Sequence, residues 1–166
     1  MASQPIERPV RASVLDRLID DNPKNHTSEP ALTRSQSVRQ YKSALRRDLE
    51  WLLNARRIIT PVPDECLELS RSVFTYGLPD ITSMSKDSRE SFERLARLIQ
   101  AAIDTFEPRL GQVTVDLKDG GSTLLRDVHF VIDGILKLDP VPERVMFDTR
   151  QDERGAMMVQ EGTGGG

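Results

Sequence analysis

The residues of this chain that could do chemistry are its carboxylates, two histidines, one cysteine and a cluster of arginines. Paired carboxylates about 5 Å apart, or about 6.5–9.5 Å apart, can hydrolyse glycosides, and the acid member needs an apolar pocket to keep its proton. Glu107, next to Phe106, is the candidate for that part. The plainer reading pairs it with Arg109, two residues on, as an ionised structural group. His129 falls at an outward position of a strand with no Ser, Cys or His partner in view, which reads as a solvated side chain. Cys66 is the sole cysteine, so an intramolecular disulfide and a thiolate-rich zinc site are both excluded. His26 and His129 cannot make a three-histidine zinc site. Gly120-Gly121 lacks the GxxxxGK[ST] context of a phosphate loop. No metal or cofactor is expected.

The arginines are unevenly placed. Residues 34–57 hold seven basic residues against two acidic ones, Asp48 and Glu50, whereas residues 104–166 hold twelve acidic against seven basic. A basic helix could bind nucleic acid, but these arginines are spread around the helix rather than gathered on one face. The net charge of -3 supplies no global basic field, and 5% aromatics provide no base-stacking platform. A solvated or protein-contacting face is the expected role, in a molecule set between two unlike neighbours.

These residues need elements to position them. The spacing of Val14, Leu15, Leu18 and Ile19 predicts a short amphipathic helix over 10–21, stopped at Asn22-Pro23. Residues 22–34 carry two prolines and read as a linker or extended arm. Val38, Tyr41, Leu45, Leu49 and Leu52 form one stripe of a helix over 35–55, with Ser35 as N-cap. A short helix is expected over 64–75, ended by Gly77 in a left-handed cap. Phe92, Leu95, Ile99, Ala102, Ile103 and Phe106 mark a second long helix over 86–106, with Asp87 and Glu90 as a capping box or Ser85 as cap. Pro108 must stop it.

Beyond Pro108 the apolar period changes to 2. Strands are expected at 112–118, 125–138 and 144–149, with a short fourth at 156–160. Asp119–Ser122 reads as the first hairpin turn, and Gly134 as a bulge or bend. The expected fold class is α+β, with N-terminal helices packed on one face of an antiparallel meander of three to four strands. The expected organisation is an arm over 1–34, a domain over 35–160 and a flexible tail over 161–166. The N-terminal residues have no apolar core of a signal peptide, and no run approaches a membrane span, which suggests a cytoplasmic protein.

Three segments together resemble a known family: Arg47-Asp48-Leu49-Glu50-Trp51-Leu52-Leu53-Asn54-Ala55-Arg56-Arg57, Ser72-Val73-Phe74-Thr75-Tyr76-Gly77-Leu78-Pro79-Asp80, and Phe106-Glu107-Pro108-Arg109-Leu110. In this order and spacing, over about residues 10–160, the chain is similar to the TssE subunits of the bacterial type VI secretion baseplate. Those belong with the baseplate wedge proteins of contractile-tail phages, a group also labelled "lysozyme-like". The resemblance implies a structural part that joins the wedge to the first ring of the contractile sheath. It implies partners TssF, TssG and TssK on the wedge side and sheath subunits TssB and TssC, with no nucleic acid and no membrane insertion. It places the protein in the cytoplasm, at a baseplate docked on the inner-membrane complex. It assigns Glu107, Pro108 and Arg109 to sheath assembly and Tyr76, Gly77, Leu78, Pro79 and Asp80 to a structural motif. A peptidoglycan-cleaving enzyme using Glu107 is the alternative, disfavoured by the few aromatics. On this reading Arg109→Ala leaves the fold intact and blocks sheath formation. The fold is implied to be similar to the strand-exchanging domain of sheath subunits, so a sheet edge, 112–118 or 144–149, is offered to the sheath.

Overall fold

The computed structural model describes residues 8–19, 32–80, 88–118, 129–151 and 156–162. The hairpin turn at Asp119–Ser122, most of the 22–34 arm and the caps at Ser85 and Asp87 lie outside them. The order is helices first and then a four-stranded antiparallel sheet, β1-β2-β3-β4, as the change of period predicts. The chain falls into two compact units, Met1–Leu45 and Arg46–Gly166.

In the first unit, α1 is one turn, Val14–Leu18, shorter than the predicted 10–21. Ser13 caps it by accepting from the Asp16 N–H at 3.1 Å. The residues before it are committed elsewhere. Val10 N–H donates to Ser37 Oγ at 2.9 Å, and Arg34 donates to the Arg8 carbonyl at 3.1 Å. Val14 and Leu18 are 73% and 77% exposed. α2 spans Arg34–Asn54, so Ser35 is inside it. The cap is Thr33, whose N–H donates to Gln36 Oε1 at 2.9 Å while its hydroxyl accepts from Gln36 N–H at 3.3 Å. This is a reciprocal capping box written as Thr-x-x-Gln.

In the second unit, the 64–75 helix is instead two 3₁₀ turns, Leu67–Arg71 and Val73–Thr75. The reason is local competition. The hydroxyls of Ser70, Ser72 and Thr75 donate to the carbonyls of Leu67, Leu69 and Ser70 at 2.6–2.9 Å, offering the backbone partners other than an α-ladder. α3 spans Arg89–Phe106, with Ser88 at the N-cap position, and packs against β1.

The sheet comprises β1 (Leu110–Lys118), β2 (His129–Leu136), β3 (Glu143–Gln151) and β4 (Met157–Glu161). Its inner face is a period-2 set from all four strands, including Val115, Ile132, Phe147 and Val159, all buried. Fully burying side chains of this size contributes about 1.5–3 kcal/mol each. Buried Thr149 is satisfied by donating to the Phe130 carbonyl at 3.2 Å. Leu110 and Val113 are both buried although three residues apart, which a regular strand forbids. A bulge between Gly111 and Thr114 resolves this, with Gln112 at φ 51°. Gly134 faces the bulge: a Cβ there would meet the Gly111 carbonyl oxygen at 3.4 Å.

The edges of the sheet differ from expectation. The 144–149 strand is interior, because β3 pairs with both β2 and β4, and Gly162 N–H donates to the Met146 carbonyl at 2.8 Å. The edges are β1 and β4. β4 is closed from its outer side by α2. Asn54 donates to the Met157 carbonyl and accepts from Met157 N–H, both at 2.8 Å, and Arg46 donates to the Val159 carbonyl at 3.2 Å. Among the described residues no strand pairs with the outer side of β1.

Candidate functional site

The end of α3 is built by Pro108. Glu107 N–H makes the last helical bond, to Ile103 at 2.8 Å, and the chain then leaves the helix because a residue before proline avoids helical dihedrals. The turn is pinned to the end of β2: Lys137 N–H donates to the Arg109 carbonyl and Lys137 Nζ to the Pro108 carbonyl, both at 2.9 Å. This rigid turn aims Glu107 and Arg109 inward, toward α2.

Arg109 grips both oxygens of Glu107, Nε to Oε1 at 2.6 Å and Nη2 to Oε2 at 2.5 Å. The same Nη2 reaches Asp48 Oδ2 on α2 at 2.6 Å. The other Asp48 oxygen accepts from Arg47 Nε and Nη2 at 3.1 and 2.8 Å, and the Arg47 guanidinium lies 4.8 Å from the Trp51 ring centroid. Side-chain exposure is 6% for Glu107, 17% for Arg109 and 22% for Asp48, so the pairs are largely desolvated. Burial alone would lower the Arg109 pKa. Its bonds and attraction to Glu107, and then to Asp48, outweigh that and hold it above the usual arginine range. A carboxylate whose two oxygens both accept from one guanidinium is held as a clamp member, in a setting unlike the uncharged apolar pocket described for an acid catalyst.

Tyr76 completes the cluster. Its ring meets Phe106 edge-on at 5.3 Å. Burial first, and then the charges of Asp48 and Glu107, push its phenol pKa up. A raised acid pKa gives stability that is complete below the unfolded value of about 10 and lost as pH rises through the folded value. Tyr76→Phe should therefore abolish a late-ionising phenolate absorbance in the native protein and flatten the alkaline loss of stability. An unchanged alkaline titration would remove Tyr76 from the cluster.

The turn after Tyr76 is bound to the end of α2. Leu78 N–H donates to the Ala55 carbonyl and Arg57 N–H to the Leu78 carbonyl, both at 2.9 Å. Gly77 has φ 101°, and a Cβ on it would lie 2.3 Å from the Ala55 oxygen. Gly77 thus takes the expected left-handed position just past the cap Tyr76 of the second 3₁₀ turn, and its close approach to Ala55 excludes a Cβ as well. Leu78 is buried, Pro79 half-buried and Asp80 exposed.

The three sequence segments, far apart in the chain, therefore meet at one place. Arg47, Asp48 and Trp51, quoted in the first segment for the family resemblance, prove to belong to the same cluster, a meeting that no spacing in the sequence indicated. His129 lies elsewhere, on the outer side of β2 opposite Lys118 and Arg150. Among the described residues no group of His, Cys, Asp and Glu could hold a metal ion, and no helix is long and apolar enough to cross a membrane.

Comparison with protein families matches residues 39–141 to the baseplate wedge protein gp25 family, a stretch that contains all three segments, the ion network, β1 and β2. The chain belongs to the gp25 baseplate wedge family. It is the family of the TssE subunits that the three segments resemble. No curated protein and no solved structure matches the chain. Membership in the gp25 family carries a structural role in a phage-like baseplate and contact with other baseplate components. The clamp at Glu107–Arg109–Asp48 fits such a role, because it fixes the relative placement of α2, α3 and the start of the sheet, which a part in a load-bearing assembly needs.

Proposed function

We propose that the chain is a TssE-type subunit of a type VI secretion baseplate, which joins the wedge to the first sheath ring and promotes sheath assembly without catalysis. On this reading the wedge neighbours are TssF, TssG and TssK, the sheath neighbours TssB and TssC, and the place of action is the cytoplasmic side of an inner-membrane complex. The observation that carries the proposal is the asymmetry of the sheet. The outer backbone groups of Met157 and the Val159 carbonyl in β4 are taken by Asn54 and Arg46, whereas among the described residues no strand pairs with the outer side of β1. An exposed edge accepts an added strand through main-chain bonds, and its alternating side chains fix register. Exposed Thr114, Asp116 and Lys118 keep that edge from indiscriminate pairing.

The expected result is seen by hydrogen exchange on the protein mixed with TssB–TssC. Amides of residues 110–118 gain protection on binding, while those of 157–161 keep the protection they already have. Protection gained only on helical amides would move the sheath contact to the helices and end the strand-addition reading.

A further inference from the structure

Beside the clamp lies a groove of about 460 Å³ that the ion network does not use. One wall is the strap that follows α2, with Ile58, Ile59, Pro61 and Val62; the other is α3. Ala101, Ala102 and Thr105 of α3 bring small side chains to it, and Gly77 and Phe106 join it to the clamp. Ile58 and Ile59 are 53% and 89% exposed, more apolar surface than a lone solvated residue. The groove is preformed. Pro61 and Pro63 stiffen the strap, and the Arg57–Leu78 bond anchors its start.

The polar groups of the lining define what it can take. The hydroxyls of Ser70, Thr75 and Thr105 already donate to the carbonyls of Leu67, Ser70 and Ala101. Arg57 is the one charged residue of the lining, and no carboxylate lines the groove. Among the described residues its guanidinium makes no hydrogen bond or ion pair, in contrast to Arg109 and Arg144, which hold Glu107 and Asp133. A small-molecule site converges several free polar groups on its ligand, whereas this open groove of mixed polar and apolar lining has its Ser70, Thr75 and Thr105 hydroxyls already donating and Arg57 as its one cation.

We infer that this groove docks an apolar segment bearing a carboxylate, supplied by a neighbouring wedge subunit, with the carboxylate on Arg57 and the apolar side chains between Ile59 and α3. The inference rests on the baseplate reading above and adds a second surface, distinct from the β1 edge. Apolar contacts supply affinity and the ion pair sets direction. Because Gly77 and Phe106 are shared with the clamp, the clamp also shapes the groove.

The test uses the full chain and purified TssF–TssG complex as probe. Ile59→Asp and Arg57→Glu should each weaken binding about tenfold or more, with Arg57→Lys within a few-fold of the parent. Melting temperatures should stay at the parent value, since both side chains are exposed. A photo-crosslinking residue at position 59 should capture one TssF or TssG segment that combines apolar residues with Asp or Glu. If the parent binds and both variants bind equally well, the groove is not the docking site, although the wedge reading stands. If the parent does not bind TssF–TssG, both fail. Crosslinks only to other copies of this chain would also overturn the inference.

Discussion

Arg109→Ala is expected to destabilise the protein by about 3 kcal/mol, because removing one partner of a buried ion pair leaves the other charge without compensation. Here Glu107, at 6% side-chain exposure, loses its guanidinium partner, while Asp48, at 22%, is left with Arg47 alone. For a chain of this size that is a fall in melting temperature of roughly 10 °C. Arg109→Lys should recover part of the loss. An ammonium keeps the charge, yet it cannot reproduce two parallel bonds to Glu107 together with a third to Asp48. Adding Glu107→Gln to Arg109→Ala should cost less than the sum of the two single changes, since it removes one stranded charge. The measurement is thermal and denaturant unfolding of the parent, the three single variants and the double variant, alongside sheath formation in cells. A melting temperature within about 2 °C of the parent, with sheath formation lost, would return Arg109 to the outward, partner-facing role that the sequence motif suggested. The geometry favours the inward role, in which loss of sheath follows from a loosened junction between α2, α3 and β1.

That difference shows where sequence reading stops. The 3.6-residue stripes of α2 and α3 and the alternation along the strands were legible, because hydrophobic burial imposes its period on each element separately. Which polar residues meet across elements was not. Asp48 and Arg109 are 61 positions apart, and no periodicity connects a carboxylate on one helix to a guanidinium after another. The closure of β4 was hidden for the same reason. It depends on Asn54 and Arg46, polar residues that a hydrophobic pattern places at no particular site. The 3₁₀ turns at 67–75 were missed because apolar Leu67, Val73 and Phe74 suggested a helix, while the competing hydroxyls of Ser70, Ser72 and Thr75 went uncounted. The bulge was expected at Gly134, where the pairing with β3 is regular, and it lies in β1 instead, where the apolar spacing would have marked it. Apolar Leu110 and Val113 at an odd separation can share a face only if one residue is extra. The candidate site was legible as three motifs and illegible as one cluster.

Gly77→Ala is expected to be the most damaging single-methyl change in the described chain, at about 3–5 kcal/mol. Two costs add. At φ 101° the backbone is strained for any L side chain, and the new Cβ would lie 2.3 Å from the Ala55 oxygen and 2.6 Å from its carbonyl carbon. These are backbone atoms, so relief requires the turn to move away from α2. That movement breaks the Leu78-to-Ala55 and Arg57-to-Leu78 bonds, both now 2.9 Å. It also withdraws Tyr76 from Phe106 and from the Asp48–Arg109–Glu107 cluster. Gly77→Asn separates the two causes. Asparagine tolerates left-handed backbone better than alanine, so strain alone predicts partial recovery. Close approach predicts none, because the asparagine Cβ meets the same carbonyl. Urea unfolding should place the Asn variant at or below the Ala variant. An Ala variant within about 1 kcal/mol of the parent would show that the turn can leave α2 without consequence. The motif around Tyr76 would then be tied to the clamp by proximity alone, and the stiffness attributed to the junction would have to come from Pro108 and Lys137.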